Sequence, residues 1–146
     1  MKKKPTNSLK LVFPSRSVNE SLARSAAAAF VTPLDPTLEE LCDVRTAVSE
    51  AVTNAVVHAY PDTLGLIEMT LRLYDDSSLS VTIRDKGRGI ADVDLARTPT
   101  YTTGGEDRSG MGFTIMENFM DSLRVVSHPG KGTSVTMRKL IGHGRG

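Results

Sequence analysis

Polar side chains recur at every fourth position within one apolar stretch of the sequence. Glu50, Asn54 and His58 are spaced in this way, so a helix would project all three from the same side. Burying an unpaired carboxylate or carboxamide costs on the order of several kcal/mol, so this pair needs a partner if the helix is packed. Hydrated Mg²⁺ is one such partner, since it takes oxygen ligands and keeps most of its waters. A partly exposed helix edge with solvated side chains is the alternative.

A carboxylate followed by two glycines forms a second candidate site. Asp85 precedes Gly87 and Gly89, and its side chain could accept a hydrogen bond from an exocyclic amine such as N6 of adenine. Glycines at these positions would let the backbone pass close to a flat ring, where a side chain would collide. Many loops between strands have the same Asp-x-Gly-x-Gly pattern, so a plain loop is the alternative.

A glycine-rich segment upstream of a helical pattern predicts an anion site. Residues 108–113 open this helix. Their backbone N–H groups would bind phosphate with the help of the helix dipole, and Arg108 could reach the same phosphate. A hinge with a surface arginine is the alternative. Gly105 and Gly110 have Walker A spacing, but Met111 and Gly112 occupy the positions that require Lys and Ser or Thr.

Hydrophobic periodicity predicts the elements that position these residues. Thr37 and Glu40 form a capping-box pattern at the start of the long helix, and Ser17 or Asn19 is expected to cap the helix before it, with Leu22 on its apolar side. The predicted elements are a strand at 9–13, a helix from about 17 to 31, the long helix at 38–60, strands at 64–74 and 79–84, a helical turn at 93–96, a helix at 111–120, and strands at 123–127 and 133–140.

This order of elements predicts an α+β fold. We expect a two-layer α/β sandwich with a mixed, mostly antiparallel sheet that helices cover on one face. The 146 residues predict a single domain with flexible tails at 1–7 and 141–146. Residues 98–110 lack periodicity, which is typical of a lid or binding loop.

Composition narrows the function class. Eighteen basic and 17 acidic side chains give a net charge of +1, which argues against a general nucleic-acid binder. Cys42 is the single cysteine and is expected to be a small core residue. The basic start at 1–4 is not followed by the apolar core of a signal peptide, and no run approaches the roughly 18 apolar residues of a membrane span. We expect a cytoplasmic protein.

The ordered combination of these motifs resembles a known nucleotide-binding superfamily. Glu50 and Asn54 on a helix, Asp85 with its glycines after a strand, and Gly110-x-Gly112 after a loop resemble the ATP-binding domain shared by gyrase B, Hsp90, histidine kinases and MutL, which has the Bergerat-type fold. The resemblance covers residues 8–140. Within that superfamily, VSEAVTNA at 48–55 and RSGMGFTIMENFMD at 108–121 are most similar to the anti-sigma F factors, sporulation regulators that are also serine protein kinases.

The resemblance implies a role for each motif residue. Glu50 would be the general base and Asn54 the Mg²⁺ ligand, while Asp85 and Thr133 would bind the adenine amine. Arg24 matches a first-helix arginine that contacts protein partners. Glu50 and Arg108, which would face the γ-phosphate, are the implied catalytic residues. The implied nucleotide-binding residues are Asn54, Asp85, Gly87, Gly89, Thr102, Thr103, Arg108, Ser109, Gly110, Met111, Gly112 and Thr133.

The same resemblance implies an activity and its partners. The protein would bind and inhibit a sporulation sigma factor, sigma F, and would use ATP and Mg²⁺ to phosphorylate a serine on its anti-anti-sigma antagonist. A homodimer is implied, with no direct nucleic-acid or membrane partner. Lys86 and Arg88 depart from the family pattern, which has an acidic and a small residue there, and the added positive charge could alter the preference between ADP and ATP.

Three other functions remain open on the sequence. A histidine-kinase domain needs a helical hairpin with a phospho-accepting histidine, and a chaperone-like or gyrase-like ATPase couples hydrolysis to a second domain. The predicted elements include neither feature. A binding module that uses ATP only to hold its shape is the third alternative, and Glu50 argues weakly against it.

Overall fold

Five strands form one antiparallel sheet in the computed structural model, which describes residues 4–97 and 109–142. Their spatial order is β1-β2-β3-β5-β4. The strands are β1 (Asn7–Pro14), β2 (Leu66–Leu73), β3 (Ser78–Asp85), β4 (Ser122–His128) and β5 (Gly132–Leu140). The helices are α1 (Asn19–Phe30), α2 (Leu38–Asn54), α3 (Val93–Ala96) and α4 (Ser109–Phe119). The predicted α+β sandwich is therefore confirmed, and each strand pairing is antiparallel.

Alternation along the strands explains why helices cover one face of the sheet. In β2 the side chains of Ile67, Met69 and Leu71 are fully buried, while the residues between them are half-buried. Removal of apolar surface from water stabilises the folded state by about 25 cal/mol per Å². The apolar face therefore packs against the valines of α2 and Met116 of α4, which are also fully buried.

The opposite face of the sheet is polar and open to solvent. Glu68 lies 3.3 Å from Lys10 and 3.9 Å from Arg84, so one carboxylate is shared by two cations. The charged side chains on this face are Lys10, Glu68, Arg72, Arg84, Arg124 and Arg138. We call this surface the open face, and it carries an excess of positive charge.

The predicted capping box at the start of α2 is confirmed. Thr37 Oγ1 accepts a hydrogen bond from Glu40 N at 3.0 Å, and Glu40 Oε1 accepts one from Thr37 N at 2.8 Å. The other oxygen of Glu40 accepts from Gly142 N at 2.9 Å. Ile141 beside it is only 2% exposed, so the described end of the chain packs against α2.

The predicted cap of α1 is wrong. The residue before the helix is Val18, which has helical backbone angles and makes no side-chain cap hydrogen bond. Asn19 instead donates from Nδ2 to the carbonyl of Pro14 at 3.0 Å. A cap needs an extended residue before the helix, and the turn after β1 does not provide one.

Leu22 and Cys42 lie outside the core, against the sequence-based expectation. Cys42 is exposed, since it lies one turn after Leu38, which is 82% exposed. On α1, Leu22 is 52% exposed, whereas Ala23 and Ala27 are fully buried. Small side chains face the core here because α1 lies close to α2 and the sheet.

No helix in the described part of the chain has both the length and the apolar content that crossing a bilayer requires.

Candidate functional site

A cavity of about 430 Å³ lies between the end of α2 and the loop that follows Asp85. Asn54 and His58 contribute one wall, and Asp85 and Thr133 contribute polar groups from β3 and β5. Phe113 of α4 and residues of α3 complete the lining. A volume in this range suits a small molecule, since ligand pockets measure roughly 300–1,000 Å³.

Asp85 places an unshared carboxylate oxygen at the cavity. The side chain is only 8% exposed, and its Oδ1 accepts hydrogen bonds from Gly87 N at 2.9 Å and Thr133 N at 3.2 Å. Burial raises the pKa of the Asp85 carboxyl above its ordinary value, and these two hydrogen bonds oppose that rise. Oδ2 accepts no hydrogen bond from the described residues, which leaves an acceptor for an exocyclic amine.

The two glycines after Asp85 are required by packing within the protein. A Cβ at Gly87 would collide with the carbonyl oxygen of Ala59. Gly89 has a φ of +77°, and a Cβ there would collide with the carbonyl oxygen of His128. Gly89 lines the cavity, as the sequence-based hypothesis requires, whereas Gly87 is not among the lining residues. Gly87 therefore serves to bring the loop against the end of α2.

The loop after Asp85 packs against a short π-helical segment at the end of α2. The sequence predicts one helix over 38–60, but α-helical structure ends at Asn54 and Ala55–Ala59 forms a π turn. The carbonyl of Ala59 accepts from Arg88 N at 3.1 Å, so it is hydrogen-bonded to the loop. Short π segments are frequent at functional sites, and this one sets the distance between α2 and the Asp85 loop.

Tyr60 hydrogen-bonds both to β2 and to the loop that follows Asp85. Its hydroxyl donates to the carbonyl of Leu66 at 2.9 Å and accepts from Lys86 N at 2.8 Å. A Cβ at Gly65 would collide with the Tyr60 ring, so that glycine makes room for the aromatic side chain. The phenol thereby joins α2 to β2 and to the start of the loop.

Asn54 lies at the cavity, and Glu50 does not. The Nδ2 atom of Asn54 is buried and has no hydrogen-bond partner among the described residues. Gly112 of α4 packs against this carboxamide, and a Cβ there would lie 2.9 Å from Nδ2 and 3.0 Å from Oδ1. Glu50 is half-buried one turn earlier and does not contribute to the lining. Nδ2 is a hydrogen-bond donor, and a buried unpaired donor is costly, so a ligand that brings an acceptor to it would be favoured. A metal ion could be held only by Oδ1 of the same carboxamide.

The helix α4 begins two residues earlier than predicted. It starts at Ser109, so Gly110 and Gly112 both lie in its first turn, and the backbone N–H of Gly110 is among the groups that have no partner within the helix. Met111 lies in the same turn. The helix start at Ser109 lies within 108–113, the range predicted to open the helix and bind phosphate. The predicted roles of Thr102, Thr103 and Arg108 lie outside the described residues.

Arg24 is not among the residues that line the cavity. It is half-buried on α1, and its Nη1 lies 3.0 Å from Glu20 Oε2 in an i, i+4 ion pair. Its Nε is buried without a partner among the described residues. Arg88, in contrast, contributes to the cavity lining, and Lys86 is exposed. Of the two departures from the family pattern, only the arginine therefore lies at the cavity.

Ser127 is a polar residue of this region that the sequence analysis did not select. Its Oγ accepts from Ile90 N at 2.7 Å and lies 2.8 Å from Thr133 Oγ1. It lies opposite Thr133 in the β4–β5 register. A signal for this pair is present in the sequence. The turn between His128 and Gly132 sets the hairpin register, and that register places Ser127 opposite Thr133.

The chain is similar to proteins that share this architecture. A family model described as a histidine kinase-like ATPase domain matches residues 13–139. An anti-sigma F factor of Caldanaerobacter subterraneus subsp. tengcongensis is 51% identical over 141 residues, which cover 95% of this chain and 97% of the relative. An anti-sigma F factor of Oceanobacillus iheyensis is 52% identical over 139 residues, with 92% and 93% coverage.

Solved structures with low sequence identity support the fold. The RsbU and RsbW domains of a Mycobacterium tuberculosis protein match with a TM-score of 0.69 at 19% identity, over 94% of this chain and 33% of that chain. A blue-light activated histidine kinase of Erythrobacter litoralis matches with a TM-score of 0.61 at 22% identity, over 83% of this chain and 41% of that chain.

The buried carboxylate generates a prediction for Asp85→Asn. An amide nitrogen in place of Oδ2 would face the amine of adenine, donor against donor, so ATP affinity is expected to fall about 10- to 100-fold. Isothermal titration calorimetry measures this loss. Unchanged affinity would reject Asp85 as the adenine acceptor.

The same variant has an opposite effect on the nucleotide-free protein. Because burial raises the folded-state pKa of Asp85, the ionised form destabilises the fold, and the wild type loses stability as pH rises through that pKa. Asp85→Asn should therefore melt at a higher temperature than the wild type near neutral pH. The difference should shrink toward the ordinary aspartate pKa of 3.8, as thermal unfolding at several pH values would show.

The contact between α4 and Asn54 generates a prediction for Gly112→Ala. Alanine is favoured over glycine by about 1 kcal/mol in a helix interior and by less in this first turn, while its methyl group would force the Asn54 carboxamide to turn. We expect a melting temperature no lower than that of the wild type and an affinity for Mg²⁺-ATP reduced about 10-fold or more. Titration with ATP in EDTA is the control, since binding without the metal should change less. An unaltered affinity for Mg²⁺-ATP would remove Asn54 from the metal site.

Proposed function

The chain belongs to the anti-sigma F factor family of histidine kinase-like ATPase domains, and we propose that it inhibits a sporulation sigma factor and phosphorylates a serine on an anti-anti-sigma antagonist. The observation that carries the proposal is the cavity in which Asp85 offers an unshared acceptor and Asn54 an unpartnered amide. Relatives of the same name match almost end to end, which supports the anti-sigma role.

The cavity residues fit a magnesium-bound adenine nucleotide. Asp85 would accept the hydrogen bond of the adenine amine, and the N-terminal turn of α4 would donate backbone N–H groups to phosphate. The carboxamide of Asn54 would hold Mg²⁺, which is commonly bound through one or two protein ligands together with substrate phosphates. The bound ion would offset the charge of the phosphates. No cluster of three or more His, Cys, Asp or Glu suited to a metal occurs within residues 4–97 and 109–142.

Glu50 is the proposed general base. It lies one turn before Asn54 on α2 and outside the adenine cavity, and no hydrogen bond or ion pair joins it to another described residue. Phosphoryl transfer depends mainly on positioning and charge neutralisation. A carboxylate next to the metal ligand is suited to accept the proton of an incoming serine hydroxyl, and Arg108 would stabilise the γ-phosphate.

An exposed strip of α1 is the proposed surface for the protein partners. Val18 is 67% and Leu22 is 52% exposed, and they lie one turn apart on the same side of the chain. Arg24 lies on the same helix but on a different side from Leu22, since two residues span more than half a helical turn, and it pairs with Glu20. Neighbouring exposed apolar residues are typical of interaction surfaces, and Val18 and Leu22 lie outside the cavity lining.

A homodimer and a cytoplasmic location complete the proposal. The open face of the sheet is a surface on which a second copy could pack. Four apolar side chains of the described strands lie exposed on it, Val12 at 54%, Leu66 at 62%, Val126 at 39% and Leu140 at 36%. Light scattering on the samples used for the transfer assay measures the oligomeric state.

The transfer assay tests the proposal against its alternatives. The protein is incubated with γ-labelled ATP and candidate antagonist proteins, and a sigma factor is captured in parallel with ATP or ADP present. Label on a serine of the antagonist, together with retention of the sigma factor, is the expected result. Label on a histidine of the chain, free phosphate alone, or binding without turnover would each contradict the kinase proposal and favour one of the other three functions.

Glu50→Ala is expected to separate catalysis from binding. Removal of a general base lowers turnover by about 10²- to 10⁴-fold, while ATP affinity should stay close to that of the wild type, since Glu50 lies outside the cavity lining. Glu39, an exposed carboxylate in the first turn of the same helix, provides the matched control, and Glu39→Ala should leave turnover unchanged. A near-normal rate in Glu50→Ala would remove Glu50 from the mechanism.

A further inference from the structure

We propose that Ser127 is a positioning residue of the adenine site and that its hydroxyl fixes Thr133 as a hydrogen-bond donor toward the base. The inference rests on the proposed nucleotide binding and adds the group that would set its base specificity. Ser127 is not among the residues that line the cavity, so it acts through the residues that it contacts.

The sheet places Ser127 at the end of a polar row. Asp85, Thr133 and Ser127 lie opposite one another on the adjacent strands β3, β5 and β4. They point to the helix-covered side of the sheet. The next row on that side is entirely apolar and consists of Ile83, Val135 and Val125. The polar row therefore marks the place where the core ends and the cavity begins.

The contacts of Ser127 limit where its single proton can go. A serine hydroxyl has one proton to donate and two lone pairs. Ile90 N donates to Oγ at 2.7 Å and occupies one lone pair. The proton has two possible acceptors, Thr133 Oγ1 at 2.8 Å and the carbonyl of Gly132 at 3.2 Å. Either hydroxyl could donate in the 2.8 Å contact. Because the Gly132 carbonyl lies beyond the usual O–H···O range, we assign the proton of Ser127 to Thr133.

A threonine hydroxyl that receives this proton must direct its own proton elsewhere. Thr133 lines the cavity, and its backbone N–H is bonded to Asp85 Oδ1. Its O–H is therefore available to the cavity as a donor. Beside it, Asp85 Oδ2 is an acceptor, so the two side chains present an acceptor next to a donor.

This pattern of acceptor and donor distinguishes between purines. Adenine has an amine donor at N6 next to an acceptor at N1, which matches Asp85 and Thr133. Hypoxanthine has an acceptor at O6 next to a donor at N1, which opposes both groups. Without the hydroxyl of Ser127, Thr133 could turn its lone pair toward the N1–H of hypoxanthine, so the preference for adenine would weaken.

Ser127 also fixes the loop that forms one wall of the cavity. The bond from Ile90 N is one of two that attach this loop to the β4–β5 hairpin, and the other runs from Gly130 N to the carbonyl of Arg88 at 2.7 Å. Loss of the Ser127 hydroxyl would leave Ile90 N without its acceptor. Both effects act on the base and neither acts on the phosphates.

The test compares the affinities of ATP and of inosine triphosphate in Ser127→Ala and Ser127→Thr by calorimetry. In Ser127→Ala the ratio of the two affinities is expected to fall about 2- to 10-fold, the factor of one neutral hydrogen bond. Ser127→Thr keeps the hydroxyl on a side chain suited to a strand and should restore the ratio. Equal weakening of both nucleotides, or an unchanged ratio, would show a purely structural role and overturn the inference.

A double-mutant cycle with Thr133→Val tests the route through Thr133. In that background Ser127→Ala should no longer change the ratio, and a further change of similar size would overturn the inference. Thermal unfolding of each nucleotide-free variant checks the fold, and Ser127→Cys, with a weak thiol donor, replaces Ser127→Ala if the latter does not fold. Wild-type protein that binds neither nucleotide would overturn the proposed function, whereas tight ATP binding with an unaltered ratio would overturn this inference alone.

Discussion

The site depends on one buried carboxylate, that of Asp85, of which only one oxygen accepts hydrogen bonds from the described residues. Oδ1 of Asp85 accepts hydrogen bonds from the backbone N–H groups of Gly87 and Thr133. These two bonds join the loop after β3 to the beginning of β5. Burial raises the pKa of Asp85, so the ionised side chain is costly without a ligand. Its second oxygen has no partner among the described residues. The arrangement therefore favours a ligand that brings a donor to this position, as an adenine amine does.

The loop around that carboxylate is fixed by backbone contacts on both of its sides. Gly87 passes the carbonyl of Ala59, and Gly89 passes that of His128. A side chain at either position would push the loop away from α2 or from the β4–β5 hairpin. The π turn at Ala55–Ala59 presents one of these carbonyls. Glycines that the sequence associates with a ligand are thus also the residues that let the cavity wall pack against the protein.

The amphipathic sheet separates the nucleotide site from the proposed protein surfaces. Its apolar face is covered by helices, and the cavity opens where that face becomes polar at Asp85 and Thr133. The exposed strip with Leu22 on α1 and the open face with Val12 lie apart from the cavity lining. A nucleotide and a protein partner could therefore bind at the same time, and α2, which contacts both α1 and α4, is the element common to both regions.

The amino-acid sequence by itself determined the elements and most of the chemistry-bearing residues. Alternation and helical periodicity depend on neighbours a few positions away, so the strands, the capping box at Thr37 and the placement of Asp85 at the end of β3 followed from local pattern. The π turn, the exposure of Cys42 and the pairing of Ser127 with Thr133 did not. Each depends on which surface a helix buries or on which residues meet across strands, and those contacts join segments far apart in the chain. Only the tertiary structure could therefore decide them.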